Sequence, residues 1–149
     1  MRPFKILEKR EDFQAALLSL GRDDQLNEAT VKKLEEFVCI IYGRKKCKSV
    51  DEARFEMFCE KYKSSKISTA KKLDSGMLPP CSKVLRKKIE RCKLISKRWM
   101  SSSLQEQPTE EPESSGWFLK DDQYHINWFD GEETPNILDI VGEDCEGNF

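Results

Sequence analysis

The sequence predicts a mainly α-helical fold with a minor β component: a small three-helix unit over about 11–62, a longer basic helix over about 82–100, and a C-terminal β-hairpin followed by a short helix. Three observations predict it. Apolar residues recur at helical spacing along the first 62 positions and again over 85–99. Ser49 and Glu52 make the S-x-x-E signature of a helix start. Two aromatic-rich runs of alternating pattern flank Asp121-Asp122, as strands flank a turn.

In the first helix, about 11–20, Phe13, Ala16, Leu17 and Leu20 fall at i, i+3, i+4 and i+7. Gly21 is expected to end it in the left-handed conformation. The second runs over about 28–42. Asn27 is its N-cap, Val31, Leu34, Val38 and Ile41 form the stripe, Phe37 and Ile40 widen it, and Gly43 closes it. In the third, the Ser49 oxygen accepts a first-turn N–H and Glu52 reaches back to the serine N–H. Val50, Phe55, Phe58 and Tyr62 then supply apolar mass. Three short amphipathic helices can share one small core.

Residues 63–77 are polar and basic without a period and predict a linker. Leu78-Pro79-Pro80 is an extended entry, because a residue before proline avoids the helical region. The basic helix follows with Ser82 as N-cap. Leu85, Ile89, Cys92, Ile95 and Trp99 line one side, and Lys83, Arg86, Lys87, Arg91, Lys93, Lys97 and Arg98 fall on the opposite arc. Residues 101–115, rich in Ser, Pro and Glu, predict a disordered acidic linker. In the hairpin, Trp117 and Leu119 share a face with Tyr124, Ile126 and Trp128. Asp-Asp is a weaker turn than Asp-Gly. Such a hairpin must dock on something, since alone it is marginal in water. Thr134 and Pro135 fit the start of the last helix, with a frayed tail from 143.

Composition limits the core. Hydrophobic residues make up 38% and charged residues 36% of 149, against about 45–50% and 25% in ordinary globular chains. The net charge of −1 conceals a separation. Residues 1–60 balance at 12 cations and 12 anions. Residues 61–100 carry 13 Lys/Arg against Asp74 and Glu90, a net of +11. Residues 101–149 carry Lys120 against 13 Asp/Glu, a net of −12. Such blocks attract polyanions, attract acidic proteins, or pair with each other and mask the basic helix. A solvated basic helix beside an acidic tail is the plainest reading.

The residues offer little for chemistry. The six cysteines are separated by 8, 12, 22, 11 and 53 positions, unlike the close pairs of structural zinc sites. His125 is the one histidine and sits among strand aromatics, so a Cys or Ser nucleophile lacks an evident base. No Gly-rich phosphate loop occurs. The N-terminus does not read as a signal peptide, and no apolar run is long enough to span a membrane. The expectation is an intracellular protein, nuclear or cytoplasmic, with reduced thiols. It has no catalytic site, metal, cofactor or small-molecule substrate.

The blocks FVCIIYGRKKCKSVDEARFEMFCEKY, LPPCSKVLRKKIERCKLISKRW, GWFLKDDQYHINW and TPNILDIV follow one another within about residues 30–141. In that combination the chain resembles a group of animal open reading frames of mobile-element type. Many of these carry similar blocks ahead of a cysteine-rich tail like the tesmin-type CXC domain. The resemblance implies a transposon-derived protein acting with nucleic acid or with another element-encoded protein. The sequence ends at Phe149, with Cys145 alone where such a tail would begin. The expectation is therefore a form without the tail and without any DNA contact or metal it supplied. None of the blocks is catalytic, and no functional residue carries over.

Two functions follow as expectations. One is a non-catalytic interaction protein acting through the basic helix and the acidic C-terminal region, with Leu85, Ile89, Ile95 and Trp99 as the face toward an unidentified protein. The alternative is a nucleic-acid-binding accessory protein using 61–98. In it Lys83, Arg86, Lys87, Arg91, Lys97 and Arg98 meet DNA or RNA phosphates and Trp99 stacks or wedges. For Trp99 the plainer place is the core, because it continues the apolar stripe.

Overall fold

The computed structural model describes residues 3–64, 75–105 and 110–131. Five helices precede a two-stranded antiparallel hairpin: α1 (Pro3–Leu7), α2 (Glu11–Arg22), α3 (Glu28–Ile41), α4 (Val50–Ser64) and α5 (Ser82–Met100), then β1 (Trp117–Lys120) and β2 (Gln123–Ile126). The architecture is mainly helical, as the periodicities require. The helix expected over 134–141, the tail, and linker residues 65–74 and 106–109 lie outside the described residues. α1 was not expected. It is short, and its one buried side chain is Ile6.

The helix ends show the local rules at work. Asn27 accepts the Ala29 N–H at 2.9 Å and caps α3. At the other end Gly43, at φ +81°, lets Arg44 N–H reach Cys39 O and Gly43 N–H reach Ile40 O. That pair of bonds is the Schellman ending. Ser49 Oγ accepts the Glu52 N–H at 3.1 Å, but Glu52 reaches back to the Lys48 N–H rather than to that of Ser49. Glu35 from α3 accepts the Val50 N–H at 2.8 Å, so two helices share the capping of α4.

Three expectations are corrected. Gly21 does not end its helix. It lies inside α2, where a Cβ would meet the Met100 sulfur at 2.2 Å, so the missing side chain admits α5. Ser82 is the first residue of α5 rather than its cap. Its N–H and hydroxyl are both held by the Asp51 carboxylate of α4. Phe55, Phe58 and Tyr62 do not fill the core and are exposed. In α4 the fully buried residues are Val50 and Ala53, because only its first turns face the other helices.

The core gathers Ala16 and Leu20 of α2, Leu34 and Cys39 of α3, Cys47, Val50 and Ala53, and Leu85 and Ile89 of α5. Phe13 is fully buried beside Phe37 at 5.3 Å. The Arg10 guanidinium covers its ring at 4.2 Å while paired with Asp12 and Glu36. Arg54 donates to Pro79 O at 2.7 Å and fastens the Leu78-Pro79 segment, both of whose residues are buried.

α5 is the central element. One side packs on α2 and α3, and another receives a 3-10 turn (Pro112–Ser115) that leads into β1. Residues 110–115, expected to be disordered, are thus ordered against the helix. The second layer explains why Arg91 and Leu94 are buried although neither lies on the predicted stripe. Arg91 donates to Gly116 O at 2.9 Å and to Asn127 O at 2.7 Å, one carbonyl at each open end of the hairpin. Its guanidinium also lies 5.7 Å from the Trp128 ring centre. Gly116 has φ +83°, and a Cβ there would come within 2.9 Å of Lys87 O. The hairpin pairs Trp117 with Ile126 and Leu119 with Tyr124, which puts these four on one face. Asp121 and Asp122 both take positive φ, the requirement of a type I′ turn.

Candidate interaction surfaces

The predicted interaction face divides. Leu85 and Ile89 belong to the core, whereas Ile95 is 39% and Trp99 75% exposed. The core of Trp99 is therefore not where its ring lies. The reason is angular: α5 meets α2 and α3 along a line displaced from the predicted stripe, so its last turns turn Ile95 and Trp99 outward.

The predicted nucleic-acid residues divide too. Arg86 is paired with Glu28 at 2.6 Å and Glu90 at 3.5 Å. Lys87 is paired with Glu90 at 3.0 Å and Asp130 at 2.8 Å. Lys97 contacts Asp24 at 3.2 Å and also Glu110. Lys93 donates to Asp24 O and lies 3.7 Å from Glu110. Arg91 is buried on carbonyls, not on the surface arc expected for it. Among the described residues only Lys83, Lys88 and Arg98 of this helix are exposed and outside any ion pair. They do not share a face: Lys88 is about 140° round the helix from Lys83, and Arg98 is about 22 Å further along.

Two surfaces remain available. The first is an apolar cleft of about 210 Å³ between α5 and the hairpin, lined by Leu94, Ile95, Arg98, Pro112, Trp117 and Tyr124. Trp99 stands exposed one helical turn beyond Ile95. The second is an open groove of about 770 Å³ between α3 and the loop that joins it to α4. Three other clefts among the described residues hold about 210 to 290 Å³. Lys32, Lys45, Lys46 and Lys48 line this groove and are exposed. The balanced charge of residues 1–60 concealed it. The signal available in the sequence was the run Arg44-Lys45-Lys46-Cys47-Lys48 between a helix-ending glycine and a helix-starting serine.

Groups able to run chemistry are scattered. The His125 ring stacks on Phe118 at 5.5 Å on the exposed hairpin face. Burial pushes the Cys39 and Cys47 thiols up to about 11, and Cys47 donates to Glu56. Both are therefore protonated near neutrality and poor nucleophiles. Among the described residues no three His, Cys, Asp or Glu come together as a metal ion requires. No helix described is long and apolar enough to cross a membrane. The described residues thus form a small helical scaffold whose features of note are surfaces. Neither the models of known families, nor curated proteins, nor solved structures offer a match to this chain.

Proposed function

We propose that this chain is a non-catalytic interaction protein whose protein-binding surface is the aromatic cleft between the C-terminal half of α5 and the hairpin. The observation that carries the reading is the exposure of Trp99 and Tyr124, 75% and 50%, beside the cleft that Ile95, Arg98 and Trp117 complete. Trp, Tyr and Arg dominate the energetic centres of protein interfaces. An aromatic surface left in water by a chain so short of apolar residues has its natural counterpart in a partner's apolar segment. The place of His125 on the exposed hairpin face and the raised Cys39 and Cys47 thiols support a non-catalytic reading. The resemblance to mobile-element reading frames bears on origin, and on the proposal that the partner is encoded by the same element.

The test is affinity capture with the full chain and a Trp99→Ser/Tyr124→Ser variant. Both side chains are half exposed or more, so the variant should melt within about 2 °C of the parent. The proteins retained by the parent should be lost from the variant. Equal retention by both would remove the cleft from consideration. The second reading, a nucleic-acid-binding accessory protein, is favoured by the lysine groove rather than by α5.

A further inference from the structure

We infer that the groove between α3 and the α3–α4 loop is a nucleic-acid site that grips the phosphodiester backbone through Lys32, Lys45, Lys46 and Lys48. This goes beyond the protein-binding reading and rests on a different part of the molecule. The groove carries five lysines and two glutamates. One glutamate is ion-paired and the other keeps its charge, which leaves the groove with a positive balance. Glu36 is held by Lys33 and Arg10, and Glu35 accepts the Val50 N–H. Neighbouring Glu28 is held by Arg86. Arg44, next to the loop lysines, is paired with Glu60 and Glu56. Lys32, Lys45, Lys46 and Lys48 form no ion pair among the described residues and stand exposed on one open surface. Their unneutralised charge faces the solvent at short mutual range, which raises the local concentration of polyanions.

The shape favours a polymer over a single phosphate. Lys32 and Glu35 also line a smaller cleft of about 270 Å³ that runs on to the start of α5 beside Lys83. The two clefts adjoin at this wall, and the groove itself is open and far larger than a single phosphate group. The lining favours nucleic acid over an acidic protein. Apart from Ala29 and the buried Cys47 it offers no apolar side chain, so a protein segment would find no anchor there. No aromatic ring lines it, so bases have nothing to stack on, and lysine lacks the planar fork that reads a guanine edge. The binding is therefore to backbone, indifferent to sequence and steep in salt.

The test is fluorescence anisotropy of the full chain with a labelled 20-base-pair duplex of mixed sequence, from 50 to 200 mM KCl. The parent should bind with an affinity that falls steeply with salt. Lys45→Ala/Lys46→Ala/Lys48→Ala should lose at least about tenfold in affinity at 50 mM, with the salt slope reduced by roughly 2 to 3. Lys88→Ala on α5 should bind within twofold of the parent. A melting curve establishes that each variant is folded. Absence of parent binding at 50 mM overturns the inference. So does loss of binding in the α5 variant with retention in the loop variant. A labelled polyglutamate peptide of equal charge that binds as tightly as the duplex assigns the groove to acidic protein and overturns it as well. None of these results depends on Trp99 or Tyr124, so this test and that of the protein-binding cleft fail separately.

Discussion

The most basic helix and the loop after α3 use the same residue types to opposite ends. α5 carries eight cations over Ser82–Met100. Five of them, Arg86, Lys87, Arg91, Lys93 and Lys97, are bound to carboxylates or carbonyls from α3, the α2–α3 turn and the segments on either side of the hairpin. The loop carries Lys45, Lys46 and Lys48, and none has an acidic partner among the described residues. A count of charge along the chain ranks these regions in the wrong order. The charge available to a partner is what remains after the fold has paired its own, and pairing depends on which elements pack nearby. α5 is central and meets acids on two sides, while the described acids beside the loop are held by Lys33, Arg10 and Arg44 or accept backbone N–H groups.

That contrast can be broken experimentally, beginning where the effect is largest. Arg91→Leu removes a buried cation, leaves Asn127 O without its Arg91 donor and leaves Gly116 O with only the Asn127 N–H. Loss of about 3 kcal/mol is expected in urea unfolding, from hydrogen bonds to a charged group. A change below about 1 kcal/mol would mean that α5 spends this cation on nothing. Gly116→Ala forces a Cβ into positive φ and against Lys87 O, and should cost about 2 kcal/mol by the same measurement. Asp122→Gly should stabilise by about 0.5–1 kcal/mol, since glycine takes the second position of this turn without strain. A variant no more stable than the parent would show that the turn is not limiting.

The exposed ion pairs should show in the pH dependence, with a smaller effect. Arg86 holds the Glu28 carboxyl below the usual range, Lys33 that of Glu36, Arg44 that of Glu60 and Lys87 that of Asp130. Each binds its proton less readily folded than unfolded. Their contribution is thus complete above the ordinary carboxylate range, about pH 4 to 5, and is lost as the pH falls through the lower folded values. Melting temperature should stay level from pH 8 to 5 and decline below pH 4. Solvent screening makes the decline modest. A melting temperature unchanged down to pH 2.5 would contradict it.

Local signals made much of the fold legible. Asn27, Gly43 and the Ser49–Glu52 pair mark three helix ends where caps form, and alternation of Trp117, Leu119, Tyr124 and Ile126 places one face of the hairpin. What was illegible came from distant packing. Periodicity finds one apolar face of α5 and says nothing of a second layer arriving from residues 110–128, so Arg91 reads as surface and Trp99 as core. Gly21 reads as a helix end because its real neighbour, Met100, is 79 positions away. Phe55, Phe58 and Tyr62 read as core because their apolar character is plain and the reach of the neighbouring helices is not. Of the two surfaces, the cleft was half visible through Ile95 and Trp99. The groove was hidden by averaging over a segment whose charges balance.

The Arg91 bridge also governs how the molecule opens. A ribbon of two four-residue strands cannot persist alone in water. Here one side chain from the middle of α5 binds a carbonyl at each of its open ends. The shared anchor couples the two strands, so they are expected to come away together. The ribbon should leave the helix in one event, and the amides that pair Phe118 with His125 and Lys120 with Gln123 should exchange with deuterium at one common rate. That event would also strip the cleft of Trp117 and Tyr124, so binding of a partner there should slow the exchange of the whole ribbon.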